Sequence, residues 1–513
     1  MSKLANFFTG LAVLAVMAGC TGQQEEGTGT MAAASAVSEV PITTSSDAAM
    51  ADFLAGQEAL DIGGPREFLE ARAAFKRAVE KDPDFAYAYL NVANTAQSPT
   101  EFKEYTDLAA AHSAGASEGE KLLIEINKTF LVNDAERRLQ LAEELVQKYA
   151  ASPRAWLALA GAQGALNKNE EARASIERAL ELDPEFFAGY SALGFQYLFA
   201  EPRDFAKAEY NMKRAVDLRP EKGQPQVNLG DVYRARQDLE GARASYTRAT
   251  ELDPENAVAF VKKGHVGSFL GYYDEARVDY DRSIELAPVE QKANFADYRA
   301  FVHIHAGDPN GAIAELSELV ASVEEMGTPA DQVNGSKIFA LTNQAVIAMH
   351  HGVLDVAERA LKQRAQLLME NANKVGTEDF IRNQRANVLS WEGQLAARSR
   401  DFETAVQKAA ENARLLEPDN NPRKLEAYHN VMGLVSLLQE NYAEAVEHYK
   451  KANHLNNWYI RYHLGLAQEG AGNHAEAQRL FKEVAEYNFN SVGYALVRKE
   501  AQQKLMKRVS MRD

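Results

Sequence analysis

The sequence predicts an all-α fold, a solenoid of stacked helical hairpins. The first observation is a period of 34 residues, because four positions of one segment recur at that spacing in the next two segments. These positions are Ala208, Met212, Ala215 and Pro220, then Ala242, Tyr246, Ala249 and Pro254, then Ala276, Tyr280, Ser283 and Pro288. The second observation is that apolar residues in each half-unit fall at i, i+3, i+4 and i+7, which is helical spacing. A period of this length accommodates two helices and their turns.

Each unit is expected to be a pair of helices whose apolar stripes face each other. Small residues such as Gly194, Gly230 and Gly264 let the two helix axes approach closely, and a large side chain on the second helix fills the gap to the next unit. A proline closes each unit because it cannot supply a helical N–H. One hairpin cannot bury its apolar stripe alone, so the units must stack.

This pattern resembles the tetratricopeptide repeat, which implies a right-handed α-solenoid of helix–turn–helix repeats with a C-terminal capping helix. The resemblance is strongest over residues 153–290 and extends in degenerate form over roughly residues 50–490. It also implies a concave groove that accepts peptides, lined by first-helix positions beside the packing stripe. Carried over to this chain, the groove candidates are Ser191, Phe195, Leu198, Gln224, Asn228, Asp231, Arg234, Val261 and His265.

The amino terminus has the layout of a secretory signal peptide. Lys3 precedes an apolar run from Leu11 to Met17, and small residues precede Cys20. The run is too short to span a bilayer, which needs roughly 20 apolar residues. An ordinary signal peptide cut further on, near residues 32–36, is the alternative. Both interpretations export the protein.

Cys20 is the only cysteine, which excludes internal disulfides and a metal site of several thiolates. The segment Met17 to Cys20 resembles the lipobox of bacterial lipoproteins. That resemblance implies a lipid on Cys20, cleavage before it and attachment to a membrane, because several acyl chains together hold a protein stably. The residue after Cys20 is Thr21 and not Asp. In the lipoproteins that the segment resembles, this implies transfer to the outer membrane, with the protein facing the periplasm.

These observations divide the chain into six segments. Residues 1–19 are the signal peptide, 20–49 a flexible tether, 50–152 degenerate repeats, 153–290 regular repeats, 291–490 divergent repeats, and 491–513 a basic capping helix and tail. The tether is predicted because the segment from Thr21 to about Ala49 contains no aromatic residue and buries too little apolar area to order itself. The basic residues of the last segment either form the polar outer face of the capping helix or contact anionic lipid headgroups.

Composition and motifs argue against several functions. The net charge of −17 and a pI near 5.3 disfavour nucleic acid as a partner. The sequence has no phosphate-binding loop, no H-E-x-x-H and no G-x-S-x-G, so we expect neither catalysis nor a cofactor. In the densest histidine group, His303 and His305 point apart on a helix and are not expected to bind a metal.

We therefore expect a lipid-anchored scaffold of the bacterial envelope that binds other envelope proteins or peptides. A solenoid that binds a small ligand, a lipid or a glycan in its groove remains the alternative. An enzyme would need a domain outside the solenoid, and the irregular segment 101–152 is the only candidate. Trp156, Trp391 and Trp458 are expected to pack within or between repeats rather than to bind a ligand.

Overall fold

A computed structural model describes residues 39–419 and 421–509 of the chain. The predicted signal peptide, Cys20 and the tether up to residue 38 lie outside the described residues. Within the described ranges, none of the helices combines the length and the apolar character that crossing a bilayer requires. The predicted all-α fold is confirmed, since these ranges contain 25 α-helices and no strand.

The chain forms two compact units. The first runs to Arg236 and includes Ala244–Asn256, and the second comprises Gln237–Arg243 and everything from Ala257 onward. Helices α1–α11 of the first unit are Asp47–Ile62, Pro65–Lys81, Ala86–Asn94, Pro99–Ala111, Glu118–Leu131, Ala135–Lys148, Pro153–Ala165, Asn169–Leu182, Phe187–Phe199, Phe205–Leu218 and Gly223–Ala235. Helix α12, Leu239–Leu252, contributes its start to the second unit and its remainder to the first.

The second unit continues with thirteen helices. Helices α13–α25 are Ala257–Leu270, Tyr273–Leu286, Val289–Ala306, Pro309–Ser322, Val333–His350, Leu354–Val375, Glu378–Arg398, Phe402–Leu415, Glu426–Leu438, Tyr442–Lys451, Trp458–Gly470, His474–Ala485 and Val492–Val509. The described chain thus has twelve consecutive helix pairs and one final helix. Within a unit, the first helices of neighbouring pairs contact each other, as α9 contacts α11 and α21 contacts α23.

The turns inside the pairs share one backbone device. In ten of them a residue with positive φ follows the first helix. After α1 these residues are Gly63 and Gly64, and in the other nine turns they are Asn133, Asn167, Gln237, Gly271, Gly307, Gly352, Arg400, Glu440 and Gly472. In eight of these nine turns the next residue donates its N–H to a carbonyl five residues earlier, as Lys168 does to Gln163 at 3.0 Å. This bond satisfies a carbonyl that the helix end would leave unpaired. Glycine and asparagine adopt the conformation at the lowest cost.

A glycine of the first helix receives a large side chain of the second in many pairs. A Cβ added at Gly230 would lie 2.5 Å from Tyr246, and one at Gly465 would lie 2.7 Å from Phe481. Tyr246 and Phe481 are fully buried. The large side chain therefore fills space inside its own pair, whereas the sequence analysis places it in the gap to the next unit.

Part of the predicted tether, which we expected to extend to residue 49, packs against the first unit. Val40 is buried beside α5 and belongs to the first unit's core. The backbone N–H of Thr43 donates to Glu120 Oε1 at 2.8 Å, and Ser46 caps α1 by accepting from the N–H of Ala49. These bonds satisfy backbone groups that a flexible segment would leave to water.

Helix α25 does more than end the second unit. It contacts α23 and α24, which directly precede it, and also α15 and α17, which lie far back in the sequence. Its buried residues include Tyr494, Leu496, Val497 and Ala501. In a simple stack each repeat contacts only its neighbours. The second unit is instead closed by its own last helix.

Candidate functional site

The predicted groove residues of the first unit are mostly packed. Ser191 and Leu198 on α9, and Asn228, Asp231 and Arg234 on α11, are buried. Phe195 and Gln224 are half-buried. Phe195 stacks on the exposed Phe199, with their ring centroids 6.1 Å apart. Of the groove predicted in this unit, Phe195 and Gln224 are therefore the residues a partner could reach.

Polar groove candidates bond to one another. Arg234 Nη2 donates to Asp231 Oδ1 at 2.9 Å, and the hydroxyl of Tyr246 donates to the same oxygen at 2.7 Å. Burial raises the pKa of Tyr246 well above its usual value, so the hydroxyl keeps its proton. Gln224 Nε2 donates to Asn228 Oδ1 at 2.9 Å. These contacts stabilise α11 rather than present charge to a ligand.

The turn between α1 and α2 lies close to the same surface. A Cβ at Gly64 would lie 2.7 Å from Gln224 Oε1, so the turn packs against this side chain. Arg66, at the start of α2, forms an ion pair with Asp253 at 3.2 Å, and α1 contacts α9. The first unit thus places its own amino-terminal turn beside part of the predicted groove.

The two groove candidates of the second unit are also buried. Val261 belongs to the core, and His265 Nδ1 lies 2.6 Å from the hydroxyl of Tyr280. The ring of Tyr298 meets His265 edge-on at 4.7 Å between centroids. Asn490 Nδ2, from the segment before α25, lies 3.5 Å from His265 Nδ1. The returning chain end therefore contacts the face on which His265 lies.

The basic residues of the last segment have partners within the second unit. Arg498 is buried and its Nε donates to the hydroxyl of Tyr494 at 3.0 Å. Lys499 donates to the carbonyl of His305, and Lys504 pairs with Glu469. Lys507, Arg508 and Arg512 lie beyond the residues whose side chains are described.

A cavity of about 420 Å³ in the second unit was missed by sequence reasoning. Side chains of α17, α19, α21 and α23 line it, together with the segment that leads into α25. Its aromatic residues are Trp391, Tyr449, Trp458, Tyr459, Tyr487 and Phe489, and its amide residues are Gln394, Asn430, Asn456, Asn457 and Asn490. Among the described residues that line it, Arg398 is the only Lys, Arg, Asp or Glu. Its size is in the range of small-molecule sites.

A chain of hydrogen bonds connects the cavity to α25. Arg398 Nη2 donates to the hydroxyl of Tyr459 at 2.9 Å and to His463 Nε2 at 3.0 Å. His350 Nδ1 lies 2.9 Å from the Tyr459 hydroxyl, and its Nε2 lies 3.1 Å from Glu500. His463 Nδ1 lies 2.8 Å from the carbonyl of Tyr459, so it carries the proton and leaves Nε2 to accept.

Burial sets the protonation of this chain. Burial and, after it, the positive charge of Arg398 together lower the pKa of His463 to about 3. Burial also raises the pKa of Tyr459 to about 12. Burial is the largest effect on Glu500 and raises its pKa, but the hydrogen bonds and the charges of its neighbours, first among them His350, together outweigh burial, so the pKa of Glu500 lies below its usual value. At neutral pH, His463 and Tyr459 are uncharged, Glu500 is an anion and Arg398 a cation.

The sequence contained one signal for this cavity. Trp391 and Trp458, which we expected to pack, line it and are half-buried, and Trp458 stacks on Tyr487 with centroids 3.9 Å apart. Asn456 and Asn457 directly precede Trp458. Aromatic and amide residues cluster here, but their convergence with Arg398 depends on the fold.

Three segments of the chain match repeat-family models. Residues 153–186 and 257–290 match a model described as tetratricopeptide repeat, and residues 230–266 match one described as TPR repeat. No curated protein sequence matches the chain.

Several solved structures are similar to part of the chain. YrrB, described as a TPR protein with an unusual peptide-binding site, is 20% identical over 35% of this chain and 91% of its own, with a TM-score of 0.29. TTC0263 of Thermus thermophilus is 21% identical over 35% of this chain and 98% of its own, with a TM-score of 0.30. PilW, described as a type IV pilus biogenesis factor, is 16% identical over 40% of this chain and 94% of its own, with a TM-score of 0.34. The matches to the repeat-family models show that residues 153–186, 230–266 and 257–290 of the chain contain tetratricopeptide repeats, which indicate a scaffold for protein or peptide partners.

Proposed function

We propose that this protein is a lipid-anchored scaffold of the bacterial cell envelope that holds protein partners in an assembly or secretion complex. The observation that carries the proposal is the stacking of helix pairs within each unit, because stacked pairs offer an extended surface for protein contacts. Lipid attachment at Cys20 and export rest on the sequence of the amino terminus. The expected position is the outer membrane, facing the periplasm.

The accessible part of the predicted groove suggests where a partner binds. Phe199 is 58% exposed although it is a large apolar residue at the end of α9, and it stacks on Phe195. Exposed aromatic residues are enriched at protein interfaces. We propose this pair as part of the partner surface of the first unit.

Affinity purification from the native envelope tests the proposal. The full-length protein is purified beside Cys20→Ala and Phe199→Ala variants, and mass spectrometry identifies the amino-terminal peptide and the co-purifying proteins. We expect an acylated Cys20, a defined set of partners, loss of acylation in the first variant and loss of a partner in the second.

Each part of the proposal has its own contradicting result. An amino-terminal peptide without acyl groups would contradict the anchor. A wild-type protein that purifies alone from crosslinked envelopes would contradict the scaffold. An unchanged partner set for Phe199→Ala would reject that surface while leaving the scaffold intact.

The cavity beside Arg398 favours a second candidate function, the binding of a small ligand. The observation that supports this candidate is that apolar, amide and cationic side chains line one cavity of about 420 Å³. A ligand-binding protein would keep its ligand during purification from the envelope and would not need partners. Mass spectrometry of small molecules released from the same purified protein tests this candidate.

A further inference from the structure

We propose that the cavity of the second unit is a binding site for a carboxylate, one borne by an apolar or aromatic body and presented to Arg398. The carboxylate could belong to a free small molecule or to the end of a peptide. This proposal rests on the second candidate function, the binding of a small ligand in this cavity. It does not depend on the lipid anchor or on the scaffold function, and it can hold if either of those is wrong.

The charge of the cavity is the first argument. The whole chain has a net charge of −17, yet no Asp or Glu is among the described residues that line this cavity. Arg398 gives the lining a single positive charge. A cleft lined by one sign of charge attracts the opposite sign, and low-dielectric walls strengthen the attraction.

The partners of Arg398 are the second argument. The guanidinium of Arg398 donates two hydrogen bonds to described residues, both from Nη2. The acceptors, the Tyr459 hydroxyl and His463 Nε2, are uncharged. In the described part of the chain, no carboxylate lies within ion-pair distance of it. The closest carboxylate along the hydrogen-bond chain is Glu500, which lies beyond Tyr459 and His350. The N–H groups on Nη1 and Nε therefore have no acceptor among the described residues.

Two helix N-termini are the third argument. Helix α23 begins at Trp458 and α25 at Val492, and both residues line the cavity. The N-terminus of a helix carries a partial positive charge from its peptide dipoles. The side chain of Asn457 caps α23 by accepting from the N–H groups of Tyr459 and Ile460. The helix ends therefore add positive potential to the cavity, and Arg398 supplies the hydrogen bonds to the carboxylate.

The remaining walls define the body of the ligand. Trp391, Val346 and Leu434 supply apolar surface, and Asn430 and Gln394 supply amides at the edge. One guanidinium matches one carboxylate in charge and planar geometry, whereas a polyphosphate would bring several negative charges to a single cation. A monoanion with a flat apolar body fits this set.

Intrinsic fluorescence gives a direct readout, since two of the three tryptophans, Trp391 and Trp458, line the cavity. The purified full-length protein is titrated with phenylacetate and with its uncharged analogue phenylacetamide, and calorimetry checks the affinities. Acetyl-Ala-Phe with a free carboxyl and its amide form the peptide arm. We expect each carboxylate that binds to bind about tenfold or more tightly than its amide. The tighter of the two carboxylates identifies the source.

Four variants test the residue assignment. Arg398→Gln should weaken binding of the preferred carboxylate about ten- to a hundredfold, and Arg398→Lys should restore part of the affinity. Asn430→Asp places a negative charge in the cavity without changing its shape, so it should weaken carboxylate binding and spare the amide. Arg359→Gln, in an exposed ion pair of α18, is the matched control and should change nothing.

Three results would overturn the proposal. They are equal affinity for a carboxylate and its amide, no saturable binding of either carboxylate, and full affinity in Arg398→Gln. Circular dichroism verifies that each variant is folded. If Arg398→Gln does not fold, Asn430→Asp decides the question alone, since an unchanged affinity there would also reject the site.

Discussion

Asp297 is a buried acid in the second unit that keeps its proton at neutral pH. It is 1% exposed, and Asn343 Nδ2 donates to its Oδ1 at 3.1 Å. Burial raises its pKa to about 8, and the bond from Asn343 opposes the rise. In the unfolded chain the same carboxyl ionises near pH 4. Between about pH 4 and pH 8 the folded protein therefore holds a proton on Asp297 that the unfolded chain has lost. As pH rises through this window, the free energy of unfolding falls.

We predict that Asp297→Asn removes this pH dependence. The stability advantage of the variant over the wild type should grow by about 2 kcal/mol from pH 5 to pH 7. Urea unfolding at the two pH values measures it. Asp355→Asn, at an exposed position, is the control, and an equal dependence in all three proteins would contradict the assignment.

His463 has the opposite dependence. Its folded pKa of about 3 lies below the usual value of 6.5, so the unfolded chain takes up a proton first as pH falls. The contribution of His463 to the free energy of unfolding should therefore fall by about 2 kcal/mol between pH 6.5 and pH 5, opposite in sign to the contribution of Asp297. Over this range the stability of His463→Gln should rise by about 2 kcal/mol relative to the wild type, while the difference between the exposed His474→Gln and the wild type should stay constant. A difference between His463→Gln and the wild type that does not change with pH would refute the prediction.

At the scale of elements, the helix pairs depend on glycines that the sequence pattern identified. The aromatic ring of Tyr246 lies against Gly230, and its hydroxyl bonds to Asp231 on the same first helix. The glycine is needed because the ring fills the space that a Cβ would occupy, and the fully buried ring cannot move into solvent.

We predict that Gly230→Ala lowers the free energy of unfolding of the first unit by about 2 kcal/mol, because the added Cβ overpacks the pair. Gly164→Ala is the matched control. Its Cβ would meet only Gln196 Nε2 at 3.4 Å, and alanine favours a helix by up to about 1 kcal/mol. Chemical unfolding followed by circular dichroism measures both. Equal effects of the two variants would mean that the contact with Tyr246 is not what constrains the site.

The sequence predicted helix pairs well and the candidate site poorly, for a physical reason. The pattern of Ala208, Met212 and Ala215 reports local packing within one pair, and that packing recurs every 34 residues. The cavity residue Arg398 and the segment at Tyr487 are separated by about 90 positions, and only the return of α25 brings them together. A periodic pattern contains no information on such a closure. Lipid attachment at Cys20 stays a prediction.

At the scale of the whole molecule, the acidic chain contains two units that are each closed within themselves. The first places the turn at Gly64 beside Gln224, and the second places α25 beside α15 and α17. Closed units have more contacts between distant parts of the sequence than an open stack has. We therefore expect the second unit to unfold cooperatively instead of fraying from its last repeat.

A pair of variants on α25 tests this closure. Leu496 is 5% exposed and Met506 is 68% exposed. Leu496→Asp should destabilise the whole second unit by about 3 kcal/mol or more and shift the emission of Trp391 and Trp458 to longer wavelength, because a charge replaces a core side chain. Met506→Asp should leave both unchanged. A Leu496→Asp protein with normal tryptophan emission and normal stability would show that α25 is dispensable.

The position of α25 also determines the order in which the protein matures. Because the chain is made from its amino terminus, α25 emerges nearly 200 positions after the α15 surface that receives it. Until then the apolar residues beneath α25 stay uncovered and require protection by chaperones or by rapid synthesis. A chain that stops before Val492 would contain almost every repeat, but it would lack α25, and the apolar residues that α25 covers would be exposed to proteases.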